Sequence, residues 1–152
     1  MKLIAEYTEQ NLEVLTEADE KGDKKYAIEG VFMQANKKNR NGRIYPKLIL
    51  DKALNKYNTE QVARGRAVGE LNHPEGPTVN LDKVSHKIDR LEFKGDDVVG
   101  KATILETPMG KIVKGLLDGG VQLGVSTRGM GSLARENNAM IVQPDFMLNA
   151  VD

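Results

Sequence analysis

Two short segments hold the residue types that could do chemistry. Gly69-Glu70-Leu71-Asn72-His73-Pro74 sets a histidine among turn-forming residues. Gly124-Val125-Ser126-Thr127-Arg128-Gly129 sets a serine between glycines at the end of an apolar run. An imidazole near its ordinary pKa accepts and returns a proton around neutral pH. A serine hydroxyl beside such a base is the minimum equipment of acyl transfer. Pro74 fixes the backbone next to the ring, and glycines beside Ser126 let a substrate backbone come close. Successive amides in a turn over Thr127, Arg128 and Gly129 would serve as an oxyanion site. Taken singly, each segment also has an ordinary explanation: a surface-loop histidine, and a Gly/Ser turn between strands. The serine segment is not the G-x-S-x-G elbow of α/β-hydrolases.

The neighbours of these two residues leave several roles open. Thr127 is a rival nucleophile, but successive residues of a strand face opposite ways, so only one of Ser126 and Thr127 can face the base. Arg128 suits an oxyanion site or a substrate carboxylate, and equally a surface ion pair. A third group usually fixes the imidazole tautomer. The acids after Ser126 are Glu136, Asp145 and Asp152, and Asp152 ends the alternating run Phe146 to Val151, which could place it rigidly. His86 lies in a strand-like run beside Ser85. Strand neighbours are not expected to form a dyad, so His86 reads as structural. A zinc hydrolase built on His73, His86 and acids is a weaker reading, since H-E-x-x-H spacing is missing.

Composition narrows the class. A chain of 152 residues with 39% apolar residues suits a single globular domain over 1–152, with residues 1–25 as a flexible or processed N-terminal segment. Equal numbers of basic and acidic residues, 22 each, argue against a nucleic-acid partner, which needs a cationic surface. The absence of cysteine excludes disulfides, thiolate catalysis and Cys-based zinc sites. The N-terminus has no apolar core of a signal peptide, and no apolar run approaches the ~20 residues of a membrane span, so no membrane partner is expected.

The elements that must position His73 and Ser126 are legible in outline. Tyr26 to Met33 reads as a strand followed by the polar loop Gln34 to Arg43. A helix starts near Pro46, with Leu50, Ala53, Leu54 and Tyr57 at helical spacing. Val84 to Phe93 and Val98 to Leu105 flank the turn Lys94-Gly95-Asp96-Asp97, with Val98, Gly100, Ala102 and Ile104 on one face. Thr107 caps a second helix that begins at Pro108. Met109, Ile112, Val113, Leu116 and Leu117 form its stripe, and Gly119-Gly120 ends it. Val121 to Thr127 reads as a short strand, and further strands flank Asn137-Asn138. Many short strands with two helices predict an α+β, mainly β fold: a small antiparallel barrel or sheet with flanking helices.

Five blocks together resemble one family, the prohead core proteases of T-even-type phages, relatives of the herpesvirus assemblins. They are Ala27-Ile28-Glu29-Gly30-Val31-Phe32-Met33-Gln34-Ala35, Asn39-Arg40-Asn41-Gly42-Arg43-Ile44-Tyr45-Pro46, the histidine segment, Lys94-Gly95-Asp96-Asp97-Val98-Val99-Gly100-Lys101-Ala102, and Gly124 through Leu133. The resemblance implies a herpesvirus-protease-like fold and a serine endopeptidase that needs no cofactor or metal. It implies Ser126 as nucleophile, His73 as base and Asp152 at the third position. In the assemblins that position is a histidine, and none follows Ser126 here. The family chain continues past the point where this sequence stops. Substrates would be phage scaffold, core and capsid proteins, cut after glutamate with Leu or Ile two residues before it. The enzyme would act as a homo-oligomer inside the procapsid, in the host cytoplasm. Ile4-Ala5-Glu6, Leu15-Thr16-Glu17 and Ile104-Leu105-Glu106 fit that pattern, which suggests self-cleavage near the N-terminus. The rival expectation is a catalytically inactive or dormant component that binds the scaffold.

Overall fold

Hydrophobic alternation and long-range pairing organise the chain into three sheets and two helices among the residues that the computed structural model describes, 1–8, 12–18, 20–72 and 74–152. The strands are β1 (Lys2–Tyr7), β2 (Glu13–Ala18), β3 (Lys24–Gln34), β4 (Arg43–Ile44), β5 (Val68–Glu70), β6 (Val84–Lys94), β7 (Asp97–Ile104), β8 (Ser126–Gly131), β9 (Leu133–Glu136), β10 (Ala139–Val142) and β11 (Met147–Val151). The helices are α1 (Lys47–Tyr57), which runs on into a π-helical turn at Asn58–Val62, and α2 (Pro108–Asp118). The largest sheet is antiparallel in the order β2-β3-β7-β6-β5. A second places β8 between β1 and β11, antiparallel to both. The third, β4-β10-β9, contains one parallel pair, β4 with β10.

The expected barrel is not closed among the described residues. Closure requires every strand to pair on both sides, whereas β1, β11, β2 and β5 each pair with a single strand. The mainly β character with two helices stands. Two strands also arise in the first 25 residues, where polar composition suggested a loose segment. Ile4 of β1 is buried in the main core, and Glu6 accepts hydrogen bonds from Arg43 Nε, Tyr45 Oη and Asn41 Nδ2, each 2.6 Å long.

Local sequence explains most of the elements. The buried residues of α1 are Leu50, Ala53, Leu54 and Tyr57, the four that recur at helical spacing. Strand β7 buries Val98, Gly100, Ala102 and Ile104 in strict alternation. Thr107 accepts from the Gly110 amide at 3.0 Å to cap α2, and Gly120, at φ +82°, follows its end. The stripe of α2 is narrower than expected: Val113 is buried, while Ile112 is exposed. One core joins Ile4, Phe32, Leu50, Ile88, Val142 and Val151, so all three sheets and α1 pack on it. A smaller cluster of Tyr26, Ile104 and Val113 seats α2.

Candidate active site

From Ser126 onward the serine segment is a strand rather than the turn that its glycines suggest. Ser126 opens β8, and its backbone makes a reciprocal pair with Asp152: the Ser126 amide donates to Asp152 O at 3.1 Å, and the Asp152 amide donates to Ser126 O at 2.7 Å. Directly opposed residues of an antiparallel pair project to the same face of the sheet. On its other side Ser126 lies opposite Tyr7 of β1. Tyr7, Ser126 and Asp152 accordingly line one cavity of about 290 Å³, which also reaches Glu70, Asn72 and His86. Its apolar wall comes from Ile28, Ile104, Val113 and Leu123.

Alternation separates the two hydroxyls. Thr127 lines a different, smaller pocket with Glu6, Phe32 and Tyr45, on the face away from Ser126. Gly129 sits mid-strand under Phe146. A Cβ there would lie 2.4 Å from Phe146 Cε1 and 2.7 Å from Met147 O, so its lack of a side chain serves packing. The expected base, His73, lies outside the described residues. Asn72, immediately before it, has φ +80°, a left-handed conformation that asparagine tolerates better than most residues.

Arg128 is the feature that sequence reasoning placed least well. It is fully buried, at 0% exposure, rather than open to a substrate. Its Nε donates to Asp152 Oδ2 at 2.5 Å, and Nη2 donates to Asp152 Oδ1 at 3.1 Å and to Glu70 Oε2 at 3.2 Å. Nη1 donates to the carbonyls of Gly76 at 2.6 Å and Thr78 at 2.9 Å. These bonds match the five N–H groups of a guanidinium. The Glu70 amide donates to Asp152 Oδ1 at 3.0 Å, and Glu70 in turn accepts from Asn80 N at 3.2 Å and Asn80 Nδ2 at 3.3 Å. One guanidinium thus joins the side chains of two acidic residues beside the cavity.

Glu70 escaped notice because glutamate is rarely buried unless paired. The only signal in the sequence was its place three residues before His73.

His86 corrects another expectation. Ser85 Oγ lies 2.7 Å from His86 Nδ1, although the two are neighbours on one strand. The cause is a register shift between β5 and β6: Gly69 pairs with His86 and Glu70 with Val84, which leaves Ser85 as an extra, bulged residue. His86 Nε2 lies 2.8 Å from Val151 O. A carbonyl only accepts, so Nε2 carries the proton and Nδ1 accepts from Ser85. Burial holds the imidazole below its ordinary pKa, against the smaller upward pulls of the Val151 carbonyl and Asp152. With both ring nitrogens engaged by the protein, His86 has no lone pair to offer a metal, which removes the zinc reading's second ligand.

Comparisons with known proteins give the family of the chain. The sequence profile of the family described as prohead core protein serine protease matches residues 6–151. The prohead core protein protease of Enterobacteria phage T4 is 43% identical over 125 residues, covering 80% of this chain and 58% of that protein. The chain therefore spans a little under three fifths of that relative's length. A solved structure of the bacteriophage T4 capsid assembly protease matches with a TM-score of 0.92 at 36% identity, over 99% of this chain and 95% of that one. With a profile match along nearly its whole length, this chain belongs to the prohead core protein serine protease family.

Proposed function

We propose that the chain is a serine endopeptidase of procapsid maturation, with Ser126 as nucleophile, His73 as base and Asp152 as the supporting acid. The observation that carries this reading is the reciprocal backbone pair of Ser126 and Asp152, which brings both residues to one cavity. His73 takes the Ser126 proton as Oγ attacks the scissile carbonyl carbon. The tetrahedral adduct collapses to an acyl-enzyme as the leaving amine takes that proton, and water then releases the acyl group.

Substrates on this reading are scaffold, core and capsid proteins within the procapsid, in the host cytoplasm. Cleavage follows glutamate, with Leu or Ile two residues before it. The cavity's apolar wall of Ile28, Ile104, Val113 and Leu123 supports an apolar subsite. The chain works as a homo-oligomer on this reading. Self-cleavage near the N-terminus falls at Glu17, on the exposed edge strand β2, sooner than at Glu6, whose carboxylate is held by three partners.

Ser126→Ala should lower turnover of a Leu-x-Glu peptide by roughly 10⁶-fold, as loss of a serine nucleophile does elsewhere. The parent should also react with a fluorophosphonate at Ser126, and the variant should not. Undiminished cleavage by Ser126→Ala would refute the assignment. An unreactive parent would favour the dormant scaffold-binding component instead.

A further inference from the structure

We infer that Arg128 is a positioning residue for the proposed reaction: it clamps the segment between β5 and β6, which carries His73 in sequence, onto the strand that carries Ser126. The inference rests on the assignment of Ser126 and His73 as nucleophile and base. Leu71 packs on the smaller cluster and donates its amide to Lys83 O at 3.3 Å, but the other described residues of the segment have little else to hold them. Between Glu70 and Leu81 no described residue belongs to a strand or helix, and Asn72, Glu75, Pro77, Thr78 and Asn80 are exposed. Such a stretch buries too little apolar surface to fix its own conformation.

Arg128 supplies what packing does not. One edge of its guanidinium takes the carbonyls of Gly76 and Thr78. The opposite edge takes Asp152, whose backbone pairs with Ser126. Its remaining N–H reaches Glu70, which accepts from Asn80 and so closes the far end of the segment. A guanidinium withdrawn from water is costly unless its donors are satisfied, and here each has a partner. Lysine would keep the charge, but it has three donors on a point charge and cannot reproduce the planar fork. Arg128 therefore sets where the histidine-bearing segment lies relative to the serine, without touching the substrate.

The test joins kinetics with amide hydrogen exchange in Arg128→Lys and in the milder Asn80→Ala, which removes the Nδ2 contact with Glu70. In Arg128→Lys, exchange of the amides at 75, 76 and 78–80 should rise by about tenfold or more while β8 and β11 stay protected. Its kcat should fall by about 10²-fold with KM nearly unchanged, the signature of misplaced catalytic groups. Asn80→Ala should move both readouts the same way by less, and it decides the matter if Arg128→Lys fails to fold. Unchanged exchange in the segment, or a loss expressed in KM alone, overturns the inference. Exchange does not depend on turnover, so failure of the protease assignment would appear separately, in Ser126→Ala.

Discussion

At the scale of the residue, His86 shows how burial converts an imidazole from a catalyst into a fastener. Its Nε2–H ties β6 to the Val151 carbonyl of β11, and its Nδ1 accepts from Ser85. Both bonds suit the neutral ring, and burial depresses its pKa accordingly. The unfolded chain, with an ordinary histidine pKa near 6.5, binds a proton that the folded chain resists. Between the two pKa values the unfolded state holds more protons, so stability rises with pH there and falls as pH drops below about 6.5. Ordinary carboxylates titrate lower, below about pH 5. The melting temperature should therefore decline from about pH 6.5 to pH 5, and His86→Gln, which is neutral throughout, should show a flatter profile over that window. Equal slopes in the two proteins would remove His86 as the cause. Arg128 and Glu70 follow the same logic. Charged residues are rarely fully buried unless paired, and these two carry their partners with them, so their burial could not be read from residue type alone.

At the scale of the element, local pattern and distant pairing contributed differently. The four buried residues of α1 and the alternation of β7 follow from spacing alone, and both were legible. So was the hairpin that turns at Gly95, since its strands are adjacent in sequence. Strand β8 was not. Ser-Thr-Arg-Gly-Met-Gly has little strand propensity of its own, and it is extended because β1 and β11, from opposite ends of the sequence, flank it on both sides. The Ser85 bulge was equally hidden, because it depends on the register that β5 adopts.

Gly69 of β5 reports how tightly these elements meet. A Cβ there would lie 2.1 Å from Val151 O and 2.3 Å from His86 Nε2, on top of the hydrogen bond that joins β6 to β11. A backbone carbonyl cannot swing aside as a flexible side chain can. Gly69→Ala should cost at least about 2 kcal/mol, read as a lower urea midpoint with unchanged slope. An unshifted midpoint would mean that β5 sits further from β11 than these distances imply.

At the scale of the whole molecule, the site belongs to no single sheet. Ser126 opens β8 of the three-stranded sheet and Asp152 directly follows its β11, whereas Glu70 comes from the edge strand β5 of the five-stranded sheet and His86 from its neighbour β6. Arg128–Glu70, His86–Val151 and the Glu70 amide on Asp152 are among the bonds that cross between them. The sheet that presents the serine also depends on both ends of the described chain, because β8 pairs with the first strand and the last. Removing residues 1–7 would strip β8 of one partner and take Ile4, only 2% exposed, out of the core. It would also leave Arg43 and Tyr45 without the Glu6 carboxylate. Loss of one buried aliphatic side chain costs about 2–5 kcal/mol, against a total stability of roughly 5–15 kcal/mol for a domain. A chain lacking residues 1–7 should therefore unfold at a much lower temperature, and Ser126 should lose its fluorophosphonate reactivity. Ile4→Val, expected to cost only about 0.5–1.5 kcal/mol, should keep both. Cooperative melting of the shortened chain at the parent's temperature would show that β1 is dispensable. Its loss of both properties would make any cut after Glu6 an off-switch, since the strand that leaves is the one that holds the serine's own strand in place.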